Sequence, residues 1–354
     1  MNADSQWRSI AAAGWEPGQT AAHLALAAIL AAAVGIPPAP AAGGQSSETA
    51  SAVAPVVAPD SRTVAFALVT PSRTELAVVP AIGGAFRIVA GFAGKAAPVQ
   101  WFPDGKALLV VEQGSSPAIW RVPWAGGDKR RLGQGECPRL SPGGRWLGYV
   151  SGGQLQLMDL STGKTGPAGP LASTGWKMGD WLDDDRLFVL SGDGSLLQLR
   201  ASAPRESQVL VPHRTMQHCF VAAAANARRR LIAVTSDDMQ LADRSNPTSI
   251  WIFDAAGKET GRPIPNASRP QWSDAGTLYF TRRAAILGSL DFSATRTLSQ
   301  GETWSVSPDE SCLFVSRRDV DTNGDGLVNW LDAAQLYRIP IRAGRAAVPR
   351  KLAP

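Results

Sequence analysis

A short phrase recurs along most of the chain and constrains its fold more than any other feature. Each copy is a turn rich in Pro, Asp, Asn or Gly, followed by an apolar run that is typical of a β-strand. Proline presets the φ angle at such turns, and Gly or Asp tolerates the tight bend after it. The copies are APDSRTVAF (58–66), FPDGKALLV (102–110), SPGGRWLGY (141–149), LDDDRLFV (182–189), ANARRRLIA (225–233), SDAGTLYF (273–280) and SPDESCLFV (307–315).

The spacing of these copies predicts an all-β chain folded as a β-propeller. A period near forty with short strands is typical of blades of about four strands each. Seven copies predict seven blades of four antiparallel strands, with six as the alternative if one weak copy is irregular. The ring closes either by packing of the last blade on the first or by a strand of residues 46–52 crossing over. The turn residues Pro59, Pro103, Pro142, Asp183, Asn226, Asp274 and Pro308 are separated by 44, 39, 41, 43, 48 and 34 positions.

Composition excludes the main competing classes. The 354 residues include 35 Gly and 26 Pro, which weaken helix interiors, so a helical bundle is excluded. The chain also contains 12 Trp, and only 18% of its residues are charged, whereas a disordered chain is rich in charge and poor in aromatic residues. Most of the chain therefore folds.

Tryptophan recurs at one place in the repeat. Trp101, Trp181 and Trp272 stand just before their turns, and Trp304 lies slightly further upstream of its own. A large aromatic residue at one fixed place in successive blades is best explained by packing between neighbouring blades. A ligand-binding aromatic cage is the functional alternative.

These phrases resemble the repeats of TolB-type β-propellers. The resemblance rests on QWFPDGKALLVV (100–111), AIWRVPWAGGDKRRLGQG (118–135) and QWSDAGTLYF (271–280), and it extends over residues 52–354. TolB-type propellers are relatives of WD-repeat proteins and are found mainly in bacterial envelopes. The resemblance implies the propeller fold and an envelope location, but it implies little about activity, because propellers host many functions.

The N-terminal region indicates export. Residues 20–36, TAAHLALAAILAAAVGI, lack Asp, Glu, Lys and Arg, and prolines and small residues follow them up to Ala42. We predict a signal peptide over residues 1–41, a linker over 42–51 and the propeller over 52–354, with a periplasmic or secreted mature protein. The alternative is an uncleaved helix that anchors the chain in the membrane.

One segment carries a strong chemical motif. Residues 319–332, DVDTNGDGLVNWLD, match the calcium-loop pattern of an EF-hand and resemble dockerin loops, which end in Asp rather than Glu. Oxygen atoms at alternate positions converge on one hard cation, Gly326 permits the sharp turn, and Val328 is expected to pack inward. The predicted Ca²⁺ ligands are Asp321, Asn323, Asp325, the backbone carbonyl of Leu327, Asn329 and Asp332.

The flanks of this motif read as strands, not as the helix pair of an EF-hand. The motif is therefore expected to be an insert in a β-hairpin of the last blade, with at most one helical turn from Trp330 to Ala334. A structural ion fits this setting better than a regulatory sensor, because no movable helix pair is present. An ordinary turn rich in Asp, Asn and Gly is the alternative interpretation.

Two functions remain open at this stage. The first is a non-enzymatic scaffold that binds a protein or an envelope polymer on one face of the ring, as the resemblance implies. The second is a propeller enzyme, such as a lactonase-like hydrolase or a lyase, with a cation in the central channel. No catalytic residues are assigned, because G-x-S-x-G and H-E-x-x-H are absent from the sequence.

The charge pattern bears on partners. The basic runs of the chain are short and scattered, although the net charge is +5, so nucleic acid is not an expected partner. We expect a monomer, with no stable membrane insertion once the signal is cleaved. His213 and His218, beside Cys219, are a conceivable transition-metal pair, but exposed histidines are the better interpretation.

Overall fold

The computed structural model describes residues 50–170, 175–212, 218–238, 248–283, 285–289, 291–292, 295–329, 331–341 and 349–353. The predicted signal peptide, most of the linker, His213 and Trp330 lie outside these ranges, and the His218 side chain is likewise not described. Within them all regular structure is β, and no helix is long and apolar enough to span a membrane.

The strands form seven sheets of four antiparallel strands each, which confirms the predicted all-β propeller of seven blades. Each sheet uses four strands that are consecutive in the chain. The first four blades contain β1 (Ser51–Val57), β2 (Thr63–Val69), β3 (Thr74–Pro80) and β4 (Arg87–Phe92); β5 (Ala96–Trp101), β6 (Ala107–Glu112), β7 (Ala118–Pro123) and β8 (Arg130–Gln134); β9 (Glu136–Leu140), β10 (Trp146–Ser151), β11 (Gln154–Asp159) and β12 (Thr165–Pro167); and β13 (Lys177–Trp181), β14 (Arg186–Leu190), β15 (Leu196–Arg200) and β16 (Ala203–Val211).

The last three blades follow the same order, with the first strand of each blade innermost, where it contacts the first strands of neighbouring blades. They contain β17 (His218–Asn226), β18 (Leu231–Asp238), β19 (Thr248–Asp254) and β20 (Ile264–Pro265); β21 (Ser268–Trp272), β22 (Leu278–Arg282), β23 (Ala285–Ser289) and β24 (Arg296–Gln300); and β25 (Thr303–Val306), β26 (Cys312–Arg317), β27 (Gln335–Pro340) and β28 (Arg350–Ala353).

The ring has two faces, because successive strands of a blade run in opposite directions. We call the side on which first strands turn into second strands, as at Pro103–Gly105, the turn face. The opposite side, on which second strands connect to third strands, as at Thr70–Arg73, is the loop face. The recurrent Pro/Asp/Gly phrase thus lies on the turn face of every blade.

The hydrophobic core lies between the blades. Seven of its clusters each combine apolar side chains of two adjacent blades, so every interface of the ring, including that of blade 7 with blade 1, is a separate packed layer. Fully buried phenylalanines on second strands anchor several of these layers, among them Phe66, Phe188, Phe280 and Phe314. Such layers account for the low proportion of charged residues.

The recurrent tryptophans link adjacent blades. The Trp101 indole N–H donates to the Val56 carbonyl of the preceding blade at 2.9 Å. Trp181 does the same to the Arg139 carbonyl at 3.1 Å. The indole N–H of Trp272 donates to the Ala224 carbonyl at 3.1 Å, and that of Trp304 donates to the Thr281 hydroxyl at 3.1 Å. The expected packing role is confirmed.

The innermost strands are irregular in a repeated way. In six blades the first strand carries an extra residue relative to the second, which is a β-bulge. Non-glycine residues in the left-handed region occupy three of these bulges: Ala54 (φ 54°), Cys137 (φ 55°) and Arg269 (φ 57°). Blade 7 pairs without a bulge. Bulges bend a strand and re-aim its side chains, here around the central channel.

Among the described residues the ring closes by packing of blade 7 against blade 1, and none of their strands crosses over. Of the segment 46–52, for which a crossover was the alternative, residues 46–49 lie outside the described ranges, and residues 51 and 52 belong to β1 in the sheet of blade 1. The Ala52 N–H donates to the Ala334 carbonyl at 2.7 Å, and the Ser316 hydroxyl donates to the Ala52 carbonyl at 2.7 Å. The Ala54 N–H donates to the Thr303 hydroxyl at 3.0 Å.

Candidate calcium loop and binding faces

The predicted calcium loop lies on the loop face, between β26 and β27. The connection spans residues 318–334, whereas the equivalent connection of blade 1 covers Thr70–Arg73 and that of blade 3 only Gly152–Gly153. The motif is thus an insert in a β-hairpin of the last blade, as expected. We refer to residues 318–334 as the insert.

Asp321 organises the first half of the insert. Its Oδ1 accepts the Gly324 N–H at 2.6 Å, and its Oδ2 accepts the Gly326 N–H at 2.8 Å. The two glycines adopt φ angles of 78° and 84°, in the region that disfavours side chains, so the sharp turn at Gly326 requires glycine as predicted.

Three further predicted ligands are joined by hydrogen bonds. The Asp325 carboxylate accepts from the side-chain amides of Asn323 at 3.1 Å and of Asn329 at 3.3 Å. Its other oxygen accepts the Leu327 N–H at 2.8 Å. The insert therefore brings the side chains of its third, fifth and ninth motif positions together.

Asp332 fixes the end of the motif. It is 2% exposed, and it accepts N–H groups from Thr322 at 2.6 Å, Asn323 at 3.2 Å and Asn329 at 2.8 Å. The Asn329 N–H, followed by that of Thr322, holds the pKa of Asp332 below its ordinary value despite partial desolvation. The Thr322 hydroxyl also donates to Asp332, at 3.1 Å, a role that the motif did not reveal.

These groups have the chemistry that Ca²⁺ prefers, since all are carboxylate, amide or carbonyl oxygens. Each oxygen of Asp321 accepts a single N–H and so keeps a second lone pair for a cation, whereas Asp332 keeps one only on Oδ2, because its Oδ1 already accepts three donors. No group of three or more His, Cys, Asp or Glu side chains within the described ranges is arranged to hold a metal ion, however. Calcium binding therefore stays a prediction.

The four large apolar side chains described in the insert do not pack inward. Val328 is 50% exposed, so the expectation that it packs inward is wrong. A single insert has no partner loop against which an apolar residue at this position can be buried. Exposed apolar neighbours accompany it: Val320, Leu327 and Leu331. The described residues from Trp330 to Ala334 contain no helix.

The base of the insert is part of the ring closure. Ala334 is fully buried; its carbonyl accepts the Ala52 N–H, and its own N–H donates to the Ser51 hydroxyl at 3.2 Å. Arg318, at the other end, donates from Nε to the Asp332 carbonyl at 2.7 Å and forms an ion pair with Glu302. The insert is thus fixed at both ends.

The innermost strands of blades 3 and 4 carry a pair of opposite charges that motif analysis missed. Arg139 and Asp180 occupy the same position on the first strands of blades 3 and 4. Desolvation lowers the pKa of Arg139, an effect that the negative charge of Asp180 opposes. Desolvation raises the pKa of Asp180, opposed by Arg139 and by a 3.0 Å hydrogen bond from the Ala225 N–H. Both residues are the second-last residue of their strand. This shared position is the signal by which the sequence could have indicated the pair.

A cleft of about 370 Å³ opens on the turn face between blades 1 and 2. Trp101 and Trp124 meet edge to face in its wall, with ring centroids 6.2 Å apart. Asp60 and Asp104 line it from the two turns, and Asp104 forms a 3.8 Å ion pair with Arg121. Arg87 lies over the Trp124 ring at 5.7 Å from its centroid and fixes that side chain. The lining is completed by Ala58, Pro59, Thr63, Pro103 and Gly105.

Comparison with known proteins supports the fold alone. No family model matches the chain, and no curated protein matches it. Among solved structures, TolB from Acinetobacter baumannii is similar, with a TM-score of 0.50, 16% identity and coverage of 83% of this chain and 64% of that chain. The TolB-type propeller resemblance is therefore supported at the level of structure.

Enzymes also appear among the similar structures. An oligogalacturonate lyase in complex with manganese gives a TM-score of 0.62 at 10% identity, covering 82% of this chain and 89% of that chain. A prolyl endopeptidase structure gives 0.55 at 13% identity, covering 84% of this chain and 47% of that chain. The chain therefore spans about half of the endopeptidase and less than two thirds of the TolB chain.

Proposed function

We propose that the chain is an exported propeller that acts as a non-enzymatic binding scaffold and is stabilised by one calcium ion in the insert. The proposal of a calcium ion rests on the position of Asp332, the last residue of the motif. It is buried and lies two residues from Ala334, whose backbone joins blade 7 to blade 1. An ion that orders the motif would thereby strengthen the closure.

The proposed ligands are those of the sequence motif: Asp321, Asn323, Asp325, the Leu327 carbonyl, Asn329 and Asp332. Bound Ca²⁺ would supply positive charge to a loop that holds three of these residues as carboxylates, and its role would be structural. The test is thermal unfolding of chelator-treated protein with and without Ca²⁺. We expect Ca²⁺ to raise the melting temperature, and Asp321→Ala with Asp325→Ala to abolish the rise. An unchanged melting curve for the wild-type protein overturns the calcium site.

The binding role is supported by the cleft on the turn face. Its volume lies at the lower end of the range of ligand pockets, about 300–1,000 Å³, and the half-buried Trp124 supplies its aromatic contact surface. The carboxylates of Asp60 and Asp104 suit a basic segment of a partner protein or envelope polymer. A rigid ring that presents such a cleft between two blades is suited to recognition.

The partner can be sought by affinity capture from an envelope extract. We expect a specific partner that is retained by wild-type protein and lost by Asp60→Asn with Asp104→Asn, variants that keep side-chain size and remove charge. Asp274→Asn, at the equivalent turn of blade 6, is the matched control. Capture that is equal for all three proteins places the partner elsewhere and overturns the cleft assignment.

A propeller enzyme is the second candidate, and the Arg139–Asp180 pair favours it. A carboxylate whose pKa is raised by burial and that interacts electrostatically with a guanidinium is a typical feature of functional sites. The similarity to an oligogalacturonate lyase adds a fold-level analogy only. Turnover of an ester, lactone or oligouronate substrate that is lost in Asp180→Asn, together with failure of the capture experiment, would favour the enzyme.

A further inference from the structure

The insert carries an unusual concentration of exposed apolar surface. Eight large apolar side chains are exposed within the described residues, and four of them lie between positions 320 and 331. Val320 is 45% exposed, Leu327 67%, Val328 50% and Leu331 49%. Isolated exposed apolar residues need no explanation, but a cluster of this kind marks an interaction surface. We call these four residues the apolar tip.

The apolar tip is held in a defined place on the loop face. The insert is several times longer than the corresponding connections of blades 1 and 3, so its middle extends beyond them. Its backbone is fixed from within by the hydrogen bonds of Asp321 and Asp332, and its base is tied to β1. The tip is therefore a preorganised projection, which lowers the entropic cost of binding.

The course of the chain indicates what this face meets. Ala52 and Ser51 are hydrogen-bonded to Ala334, so the chain that precedes them joins the propeller at the foot of the insert. The apolar segment 20–36 precedes β1 by only 14 residues, 37–50, which can span at most about 50 Å. Whenever that segment lies in a membrane, as during export, the loop face is held within this distance of the bilayer.

The charge of the insert sets a condition for contact with lipid. The insert together with the adjoining Arg317, which forms an ion pair with Asp319, carries two arginines against four aspartates and hence a formal charge of −2. Anionic headgroups repel such a segment over about a Debye length, roughly 8 Å at physiological ionic strength. One Ca²⁺ bound by the motif brings the formal charge to zero and removes this repulsion.

We propose that the apolar tip is a lipid-contacting surface that places the loop face of the propeller against a phospholipid bilayer when calcium is bound. The calcium condition rests on the proposed metal site. The four apolar side chains enter the boundary between headgroups and acyl chains. The hydrogen bonds between blades 7 and 1 hold the base of the insert in place. The cleft on the turn face then points away from the membrane and stays accessible to a partner.

The experiment uses a chain that starts at residue 42, because all seven blades and the contacts that close the ring lie within residues 50–353. Its co-sedimentation with vesicles of phosphatidylcholine and phosphatidylglycerol is measured in Ca²⁺ and in chelator. The test variant is Val328→Ser with Leu331→Ser, which leaves every proposed ligand intact. The matched control is Ile82→Ser with Val209→Ser, which removes exposed apolar residues outside the insert.

We expect vesicle binding in Ca²⁺, binding that is about tenfold weaker in the tip variant, and no change in the control variant. The melting temperature of the tip variant should still rise with Ca²⁺. Equal vesicle binding by the tip variant and the wild type, or no vesicle binding at all, overturns the lipid surface even if Ca²⁺ raises the melting temperature. A captured envelope protein that is lost in the tip variant, with vesicle binding unchanged, also overturns it in favour of a protein partner.

Vesicle binding that depends on the tip in chelator as well as in Ca²⁺ supports the lipid surface and overturns its calcium condition. Melting temperatures that do not respond to Ca²⁺ overturn the metal site separately. Failure of the two proposals can therefore be told apart.

Discussion

The interface between blades 1 and 2 and the closure between blades 7 and 1 join the same kind of sheet by different means. Between blades 1 and 2, a 3% exposed Trp101 fills the layer and donates to the Val56 carbonyl. At the closure no tryptophan bridges the blades among the described residues. Phe66, Phe314 and aliphatic side chains pack there, and the hydrogen bonds are made by Ser316, Thr303 and the backbone of Ala334.

The difference follows from chain connectivity. Blades 1 and 2 are joined by a short link from β4 to β5, which keeps the two sheets close even when their layer loosens. Blades 7 and 1 have no such link, so their separation is opposed only by non-covalent contacts and by the rest of the ring. Backbone hydrogen bonds from the base of the insert add directional contacts at this joint.

The largest expected effect tests whether the closure is the weaker joint. Phe314, in the layer between blades 7 and 1, and Phe188, in the layer between blades 4 and 5, are both fully buried. Each substitution by Ala should lower the free energy of unfolding by about 3–5 kcal/mol, because it leaves a cavity. Only Phe314→Ala should speed amide exchange at Ala52. Faster exchange at Ala52 in both variants would contradict an independent closure.

Calcium should act on the closure and not on the interface of blades 1 and 2. At a concentration 100 times its dissociation constant, a ligand of the folded state stabilises by about 2.7 kcal/mol. Because Ala334 lies two residues from Asp332, we expect added Ca²⁺ to slow amide exchange at Ala52 and Ala334. Exchange in β6 should change less, since β6 belongs to blade 2. Uniform slowing over both regions would mean that the ion has no particular link to the closure.

Single hydrogen bonds at the two joints can be compared directly. Ser316→Ala removes the donor to the Ala52 carbonyl, and Trp101→Phe removes the donor to the Val56 carbonyl. Each should cost about 1–2 kcal/mol in urea denaturation, because a buried carbonyl loses its partner. Trp101→Phe should lie at the upper end, since it also leaves a void. A Ser316→Ala variant as stable as the wild type would show that this bond adds nothing to the closure.

Acid should affect the closure through Asp332, whereas the Trp101–Val56 contact contains no ionisable group. The folded-state pKa of Asp332 lies below its ordinary value. Its charged form therefore stabilises the fold above roughly pH 4, and this contribution is lost as the pH falls through the folded-state pKa. In chelator, Asp332→Asn should be less stable than the wild type at pH 6, and the difference should shrink towards pH 3. If the difference in stability between Asp332→Asn and the wild type did not depend on pH, the lost stability would be due to altered hydrogen bonding and not to the lost charge.

The sequence predicted the blades well because their signals are local. A turn such as Pro103–Gly105 and the apolar run after it depend on neighbouring residues, and their period near forty sets the number of blades. The role of Trp101, Trp181, Trp272 and Trp304 also followed, since one recurrent large side chain implies one recurrent layer. These predictions are confirmed by the seven sheets and by the indole hydrogen bonds.

Features that depend on contacts between residues distant in the chain could not be predicted from sequence patterns. The Arg139–Asp180 pair and the cleft arise where two blades meet, so their members lie about forty residues apart without a shared motif. The exposure of Val328 depends on what surrounds the insert, which the motif itself does not specify. The calcium ligands were read from spacing, and the hydrogen bonds of Asp321, Asp325 and Asp332 now provide a geometry in which to test them.

Because every blade is completed by strands that are consecutive in the chain, each blade is encoded by one continuous stretch of the gene. A gene duplication or deletion that begins and ends at blade boundaries adds or removes one whole sheet and leaves no other sheet short of a strand. Rings whose last sheet borrows a strand from the chain's beginning lack this freedom. The architecture is therefore open to change in ring size through single genetic events, with the closure as the joint that must adapt.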